Sequence, residues 1–564
     1  MIIGLPKKNR LNKKNQFVEP DEIFLDSENL ENFDRQQFEG RIEKAISKKT
    51  VIFLGVFMAV ALAAFFGRLG YLQIIEGKAY AEKSANNTLE EQIIFADRGI
   101  IYDRNGAEMA WNEKNGGKTI RAYLSPGFSH LLGYVSYPAK DENGKYWQTS
   151  FEGRAGLEKE YNDRLNGENG AKIVETDAHG NVHSENTVNT PVNGEDLNTA
   201  IDSRIQEELY KIISGLSGSN SFAGAAGIIM DANSGEILAS VSFPEYDSEI
   251  LSQGTDSAKI DGYLSDRRNV FMDRTMAGLY TPGSIVKPFF AIGALKEGII
   301  DPLKKILSTG SISIPNPYFP DQPTVFKDWR AQGWVDMREA LAVSSDVYFY
   351  EVGGGYQDQK GLGIDNLDKY AKLFGIGKST GIDMPNENTG VIPSPAWKEK
   401  NFPGDPWRIG DTYNTAIGQY GFQVTPMEMI RAISAIANYG TLPQPHFLLN
   451  DKAMEAKAEN LGENISRADF DVVREGMRDG VLFGTSTNLD VPYAEFAAKT
   501  GTAQVGIDNS KVNSWIIGFF PYQNPKYAFT IMMEGGPASG GVSASSVARS
   551  IFDWMSVNTP GYFK

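Results

Sequence analysis

Three short clusters carry the side chains best suited to covalent chemistry. The first is Thr281-Pro282-Gly283-Ser284-Ile285-Val286-Lys287-Pro288. Pro282 and Gly283 are turn residues, and the apolar run from Ile285 to Leu295 has helical spacing up to a stop near Gly298. Pro288 is tolerated only if the helix begins close to Ser284, because proline has no N–H and clashes with the carbonyl four residues back. Ser284 then sits in the first turn and Lys287 on the same face three residues on. A serine hydroxyl is a poor nucleophile until a base takes its proton, and a desolvated lysine amine can be that base. The second cluster, Ser344-Ser345-Asp346, follows an apparent helix over Val335 to Ala342 and puts polar groups into an apolar stretch, a costly arrangement unless they are used. Taken alone it fits a helix cap equally well. The third, Lys499-Thr500-Gly501-Thr502, reads as an edge-type strand in which Gly501 lets a ligand backbone approach, although Lys499 alone also fits a solvated strand lysine.

Composition narrows the chemistry further. The 564 residues allow two or three domains, and a net charge of −16 argues against a nucleic-acid partner. With no cysteine there is no disulfide framework and no thiolate metal site. The histidines are His130, His179, His183 and His446, none beside a carboxylate at metal-ligand spacing, which disfavours a zinc enzyme or a serine–histidine triad. There is no glycine-rich phosphate loop, and no cofactor is expected.

The elements that position these residues follow from the pattern along the chain. Residues 1–50 are polar, basic at the start and acidic from Glu19 to Asp34, and read as a mostly disordered tail. Residues 51–72 are apolar apart from Arg68, which can snorkel, and are long enough to span a bilayer. The preceding Arg41, Lys44, Lys48 and Lys49 place the tail in the cytoplasm and all that follows outside it. From 73 to 216, short strand-like runs alternate with Gly, Asn and Asp turns. Among them are a strand ending in the Asn105-Gly106 turn, a helix over Lys159 to Leu165, and an exposed hairpin over Asn166 to Asn193 whose His179 and His183 read as solvated. This region lacks a catalytic cluster and suits a spacer or docking role. From 217 to 564, strands at Gly224–Met230 and Glu236–Val241 feed the Ser284 helix, and strands at Val512–Phe519 and Tyr527–Met533 follow Lys499. That is a sheet with helices packed on it, α/β or α+β.

In order, Ser284-x-x-Lys287, Ser344-x-Asp346 and Lys499-Thr500-Gly501 form the signature set of penicillin-recognising serine enzymes. The chain resembles a class B penicillin-binding protein from the membrane anchor to the C-terminus. Further matches are Arg98-Gly99 with Asp103-Arg104-Asn105-Gly106, Gly156-Leu157-Glu158, Ile201-Asp202, Ser234-Gly235-Glu236, Ile417-Gly418-Gln419, Thr425-Pro426 and Lys499 through Gln504. Ser344 through Tyr350 is most similar to the elongation type, penicillin-binding protein 2. The resemblance implies a multi-domain α+β chain with one N-terminal transmembrane helix, a mostly β pedestal of the dimerisation type, and a C-terminal transpeptidase domain whose antiparallel sheet is flanked by helices.

It also implies roles. Ser284 would attack the penultimate D-alanine carbonyl of a peptidoglycan stem peptide, and the acyl group would pass to an amine of a neighbouring stem. Lys287 would take the serine proton, Ser344 would relay a proton to the leaving amine, and Lys499 would keep the potential positive. Backbone N–H groups of Ser284 and Thr502 would form the oxyanion hole. Lys499, Thr500, Thr502 and the open backbone at Gly501 suit the substrate carboxylate, or that of a β-lactam imitating it. Asp346 stands where division-type members usually carry Asn. An ionised carboxylate beside Lys287 would raise the lysine pKa and oppose a neutral base, so Asp346 is expected to turn away or to spare the amine.

The implied partners are stem peptides, β-lactams, the membrane, a SEDS-family glycosyltransferase and the elongation machinery. No lysozyme-like glycosyltransferase region precedes Ser284, and no wall-binding module fits after Lys499. Some elongation-type members hold zinc with cysteine and histidine near the site, and a cysteine-free chain does not carry that metal over. The alternatives are a division-type protein, a D,D-carboxypeptidase or β-lactamase passing the acyl group to water, and a receptor without turnover.

Overall fold

The computed structural model describes residues 47–86, 89–115, 118–176, 182–316, 319, 321–462, 465–506, 510–538 and 541–564. The tail expected over 1–50 therefore lies outside the described residues up to 46, as does His179. The chain forms an N-terminal unit up to Leu89 and a large unit from Glu90 to Lys564.

In the first unit, Ser47 caps a helix over Lys48–Gly70 by accepting from the Thr50 N–H. The helix continues through a wider turn at Tyr71–Ile75. At a rise of about 1.5 Å per residue its 23 residues cover roughly 35 Å, against about 30 Å of bilayer hydrocarbon. Among the described residues it is the one helix long and apolar enough to cross a membrane.

The large unit opens with the pedestal segment. The predicted turn at Asn105-Gly106 joins short strands Ile101–Tyr102 and Glu108–Asn115. The expected 166–193 hairpin pairs Gly170–Thr176 with Val182–Asn189. Two short helices, Gly156–Glu160 and Asn162–Asn166, replace the single helix expected over Lys159 to Leu165, with the break at Tyr161. Glu158 explains the local order. Its buried carboxylate is held at 2.5 Å by Arg98 and at 2.7 Å by Arg121, both equally buried. Burial alone would raise its pKa, but the two guanidiniums overcome that and hold it below the usual glutamate value.

The C-terminal part is built on a five-stranded antiparallel sheet. Its strands are β1 (Gly224–Asp231), β2 (Ile237–Phe243), β3 (Ala497–Val505), β4 (Lys511–Phe520) and β5 (Tyr527–Pro537), in the spatial order β2-β1-β5-β4-β3. Strand residues point alternately to opposite faces, and here both faces are apolar. Ala226, Ile228, Met230, Trp515, Ile517, Phe519, Ala528 and Met532 face one core. Ala225, Ile229, Ile516, Phe520, Phe529, Ile531 and Met533 face the other. The second core is closed by α1 (Ser203–Ser219) and α6 (Ala544–Asn558), through Ile205, Leu209 and Ile213 on one and Val547, Ile551 and Phe552 on the other. The first is closed by α2 (Lys287–Lys296) and α4 (Pro426–Ala437). Helix α1 packs on the sheet and runs past residue 216, where the sequence pattern suggested a boundary. Strand β3 is the sheet edge, as its small and polar residues predicted.

Candidate active site

The Ser284 turn is wedged between the sheet edge and two loops. Gly283 to Val286 form one turn of 3-10 helix, and α2 follows from Lys287 with Pro288 in its first turn, where a missing N–H costs nothing. Trp515 of β4 donates its indole N–H to the Thr281 carbonyl at 3.0 Å, and the Gly283 N–H donates to Gly418 O at 3.0 Å. Gly283 has φ +58°, and a Cβ there would stand 2.8 Å from Thr502 O. A Cβ on Gly501 would stand 2.7 Å from Pro282 O. The two glycines thus let β3 press its backbone against the nucleophile turn.

Ser344 lies between a short helix over Met337–Ala342 and α3 (Asp346–Gly354). Its φ of +58° is left-handed, a conformation that costs about 1–3 kcal/mol in a non-glycine residue and marks a constrained site. Val335, expected in the preceding helix, instead ends a strand, because Asp336 and Glu339 form a capping box that starts the helix at Met337.

Two buried amines meet at Ser344. Lys499 Nζ donates to Ser344 Oγ at 2.7 Å and to Thr500 O at 2.9 Å. Lys287 Nζ donates to Ser344 O at 3.0 Å, lies 3.5 Å from Ser344 Oγ, and forms an ion pair with Asp346 Oδ1 at 2.6 Å. Asp346 therefore does not turn away from Lys287. It sits at the start of α3, where the positive helix end favours a carboxylate and the Lys287 amine lies within reach. Ser284 Oγ is not among the hydrogen-bond partners of that amine within the described residues. Burial, then the neighbouring Lys287, push the Lys499 amine well below its ordinary pKa, with Asp346 opposing them. Burial thus works against the fixed positive charge expected of Lys499.

Above these amines opens a cleft of about 420 Å³ lined by Ser284, Ser344, Asp346, Thr500, Gly501 and Thr502. All the residues singled out from the sequence are brought together, with Lys287 and Lys499 beneath the lining. Thr500 Oγ1 donates to Thr485 Oγ1 at 2.6 Å. Sequence reasoning missed Trp329, Thr485, Ser514, Trp515, Ser543 and Ser545, which complete the lining. Ser543 carries a readable signal as the capping residue ahead of α6. Trp515 does not, since an apolar strand explains it equally well. Among the described residues no three His, Asp or Glu side chains are grouped to hold a metal.

Comparison with known proteins shows the family. A model of the penicillin-binding protein transpeptidase domain matches residues 225–553, more than half of the chain. The chain belongs to this family. A penicillin-binding protein dimerisation domain matches residues 116–199 of the same penicillin-binding protein. The peptidoglycan D,D-transpeptidase MrdA of Acinetobacter baumannii is 27% identical, over 91% of this chain and 88% of its own. Penicillin-binding protein 2 of Helicobacter pylori, solved in complex with MreC, superposes with a TM-score of 0.68 at 26% identity, over 84% of this chain and 99% of that one. Penicillin-binding protein 2 of Pseudomonas aeruginosa, solved with WCK 5153, gives a TM-score of 0.67 at 28% identity, over 84% of this chain and 98% of that one.

Proposed function

We propose that this penicillin-binding protein is an elongation-type peptidoglycan D,D-transpeptidase that carries its acyl intermediate on Ser284. The observation that supports the reading best is Ser344 Oγ, held 2.7 Å from one buried amine and 3.5 Å from another at the foot of the Ser284 cleft. The Lys287 amine, beside Asp346, must give up a proton before it can act as base. Passing that proton through Ser344 to Lys499 frees Lys287 as a base. Lys287 then takes the Ser284 proton while Oγ attacks the penultimate D-alanine carbonyl. The oxyanion is met by the N–H groups of Ser284 and Thr502. The C–N bond breaks, the leaving D-alanine amine takes a proton from Ser344, and Lys499 refills Ser344. An amine of a second stem attacks the ester carbonyl and loses a proton through Ser344 to Lys499, the C–O bond breaks, and Lys287 returns its proton to the released Ser284 oxygen. Thr500, Thr502 and Lys499 hold the substrate carboxylate, with Gly501 leaving room for its backbone.

The span near 51–72 anchors the protein by a single pass, with residues 1–50 cytoplasmic and the catalytic part outside. We place the end of the pedestal, which starts at 73, ahead of Ser203, because α1 packs on the transpeptidase sheet. The pedestal docks the elongation machinery and a SEDS-family glycosyltransferase. The lack of native cysteine makes single-cysteine labelling a clean test of topology.

The activity is tested with the full chain in membranes holding nascent, uncross-linked glycan. The expected result is release of D-alanine together with cross-linked dimers, both lost in Ser284→Ala. Release of D-alanine without dimers would indicate a carboxypeptidase instead.

A further inference from the structure

Asp328 belongs to none of the motifs above, yet its carboxylate gathers donors from three segments around the cleft. It is buried, and among the described residues no lysine or arginine pairs with it. Its Oδ2 accepts from Ser308 Oγ at 3.1 Å, from Ser345 Oγ at 2.8 Å and from the Val347 N–H at 3.1 Å. Its Oδ1 accepts from the Trp329 N–H at 2.8 Å. Four donors and no acceptor suit a carboxylate, since an amide would turn an NH2 group against one of them.

The placement of these donors matters. Ser345 caps α3, accepting from the Tyr348 N–H while it donates to Asp328. Val347 offers an N–H from the first turn of the same helix. Asp328 therefore grips the residues on either side of Asp346 and immediately after Ser344, the two groups that contact Lys287. A left-handed Ser344 persists only where its neighbours over-determine it, and these hydrogen bonds do so. Trp329, tied to the same carboxylate, forms a wall of the cleft, with the Arg330 guanidinium 4.4 Å above its ring.

We infer that Asp328 is a positioning residue of the transpeptidase, fixing Ser344 and Asp346 against the two lysines and setting the Trp329 wall beside them. The inference rests on Ser284 as the acylated nucleophile.

The test measures acylation of the full chain by a chromogenic β-lactam, separating the acylation rate constant from the binding constant, for the parent, Asp328→Asn, Ser345→Ala and Ser345→Thr. In Asp328→Asn the rate constant should fall about tenfold or more, with binding changed less than about threefold. Ser345→Ala should fall more than about fivefold, and Ser345→Thr, which keeps the hydroxyl, should recover to within about threefold of the parent. A residue of merely structural importance would lower the melting temperature without moving this ratio. Smaller falls in folded Asp328→Asn and Ser345→Ala overturn the inference. Should Asp328→Asn fail to fold, the Ser345 pair decides alone, a fall without threonine rescue counting against it. A parent that is not acylated overturns the nucleophile itself, a separate failure seen before any variant is compared.

Discussion

Two lysines, one aspartate and one bridging serine meet within about hydrogen-bonding distance at the foot of the cleft. Asp346 lies 2.6 Å from the Lys287 amine, the group proposed to act as base. Asp346→Asn removes the carboxylate that positions the buried Lys287 amine, so the acylation rate constant should fall about tenfold. Stopped-flow acylation checks this, and an unchanged rate constant would contradict it. The residue types and spacings of Ser284, Lys287, Ser344 and Lys499 were legible from the sequence. The direction of Asp346 was not, because it depends on where α3 begins relative to Lys287, a distance that spacing across 59 residues cannot supply.

Elements hold these residues through buried polar contacts as much as through apolar packing. Helix α4 starts at Thr425-Pro426 in a capping box with Glu428. Glu428 also accepts from the Gly377 and Gly390 N–H groups, pinning a long loop to the helix. Burial raises its carboxyl to about 7, against the pull of the Thr425, Gly390 and Gly377 N–H groups. A carboxyl raised on folding stabilises the fold below its unfolded pKa and loses that contribution as pH rises through the folded value. The shift from 4.5 to about 7 corresponds to roughly 3 kcal/mol lost across that window. Denaturant unfolding at pH 4.5 and pH 8 should show it, and Glu428→Gln should flatten the difference. Glu351, raised by burial to about 7, acts in the same sense, so some slope should remain. The sheet strands were legible because their runs are long and apolar, and their ends shifted by only a few residues. The break at Tyr161 was not, because Arg98 from a loop and Arg121 from a strand, both distant in the chain, hold Glu158 beside it.

At the scale of the molecule, a helix long and apolar enough to cross a membrane and a pedestal accompany a transpeptidase part whose sheet is covered on both faces. The candidate span was legible through an apolar run whose one charge is Arg68, and the pedestal through its turns. The packing of α1 on β1 and β2 was not legible, since α1 has an ordinary amphipathic pattern that does not say what covers it. The pedestal depends on the Arg98–Glu158–Arg121 cluster, in which all three side chains are withdrawn from solvent. Glu158→Ala leaves two buried guanidiniums without their carboxylate, which should cost about 3–5 kcal/mol of unfolding free energy. Chemical denaturation of the full chain in detergent measures that loss, and a change under about 1 kcal/mol would show the cluster to be dispensable.

The most direct test of the central claim is covalent labelling of the full chain with a fluorescent penicillin, with the modified peptide mapped by mass spectrometry. The predicted result is a lasting adduct on Ser284 that is absent from Ser284→Ala. An adduct on another residue, or none on a parent shown to be folded, would contradict the mechanism.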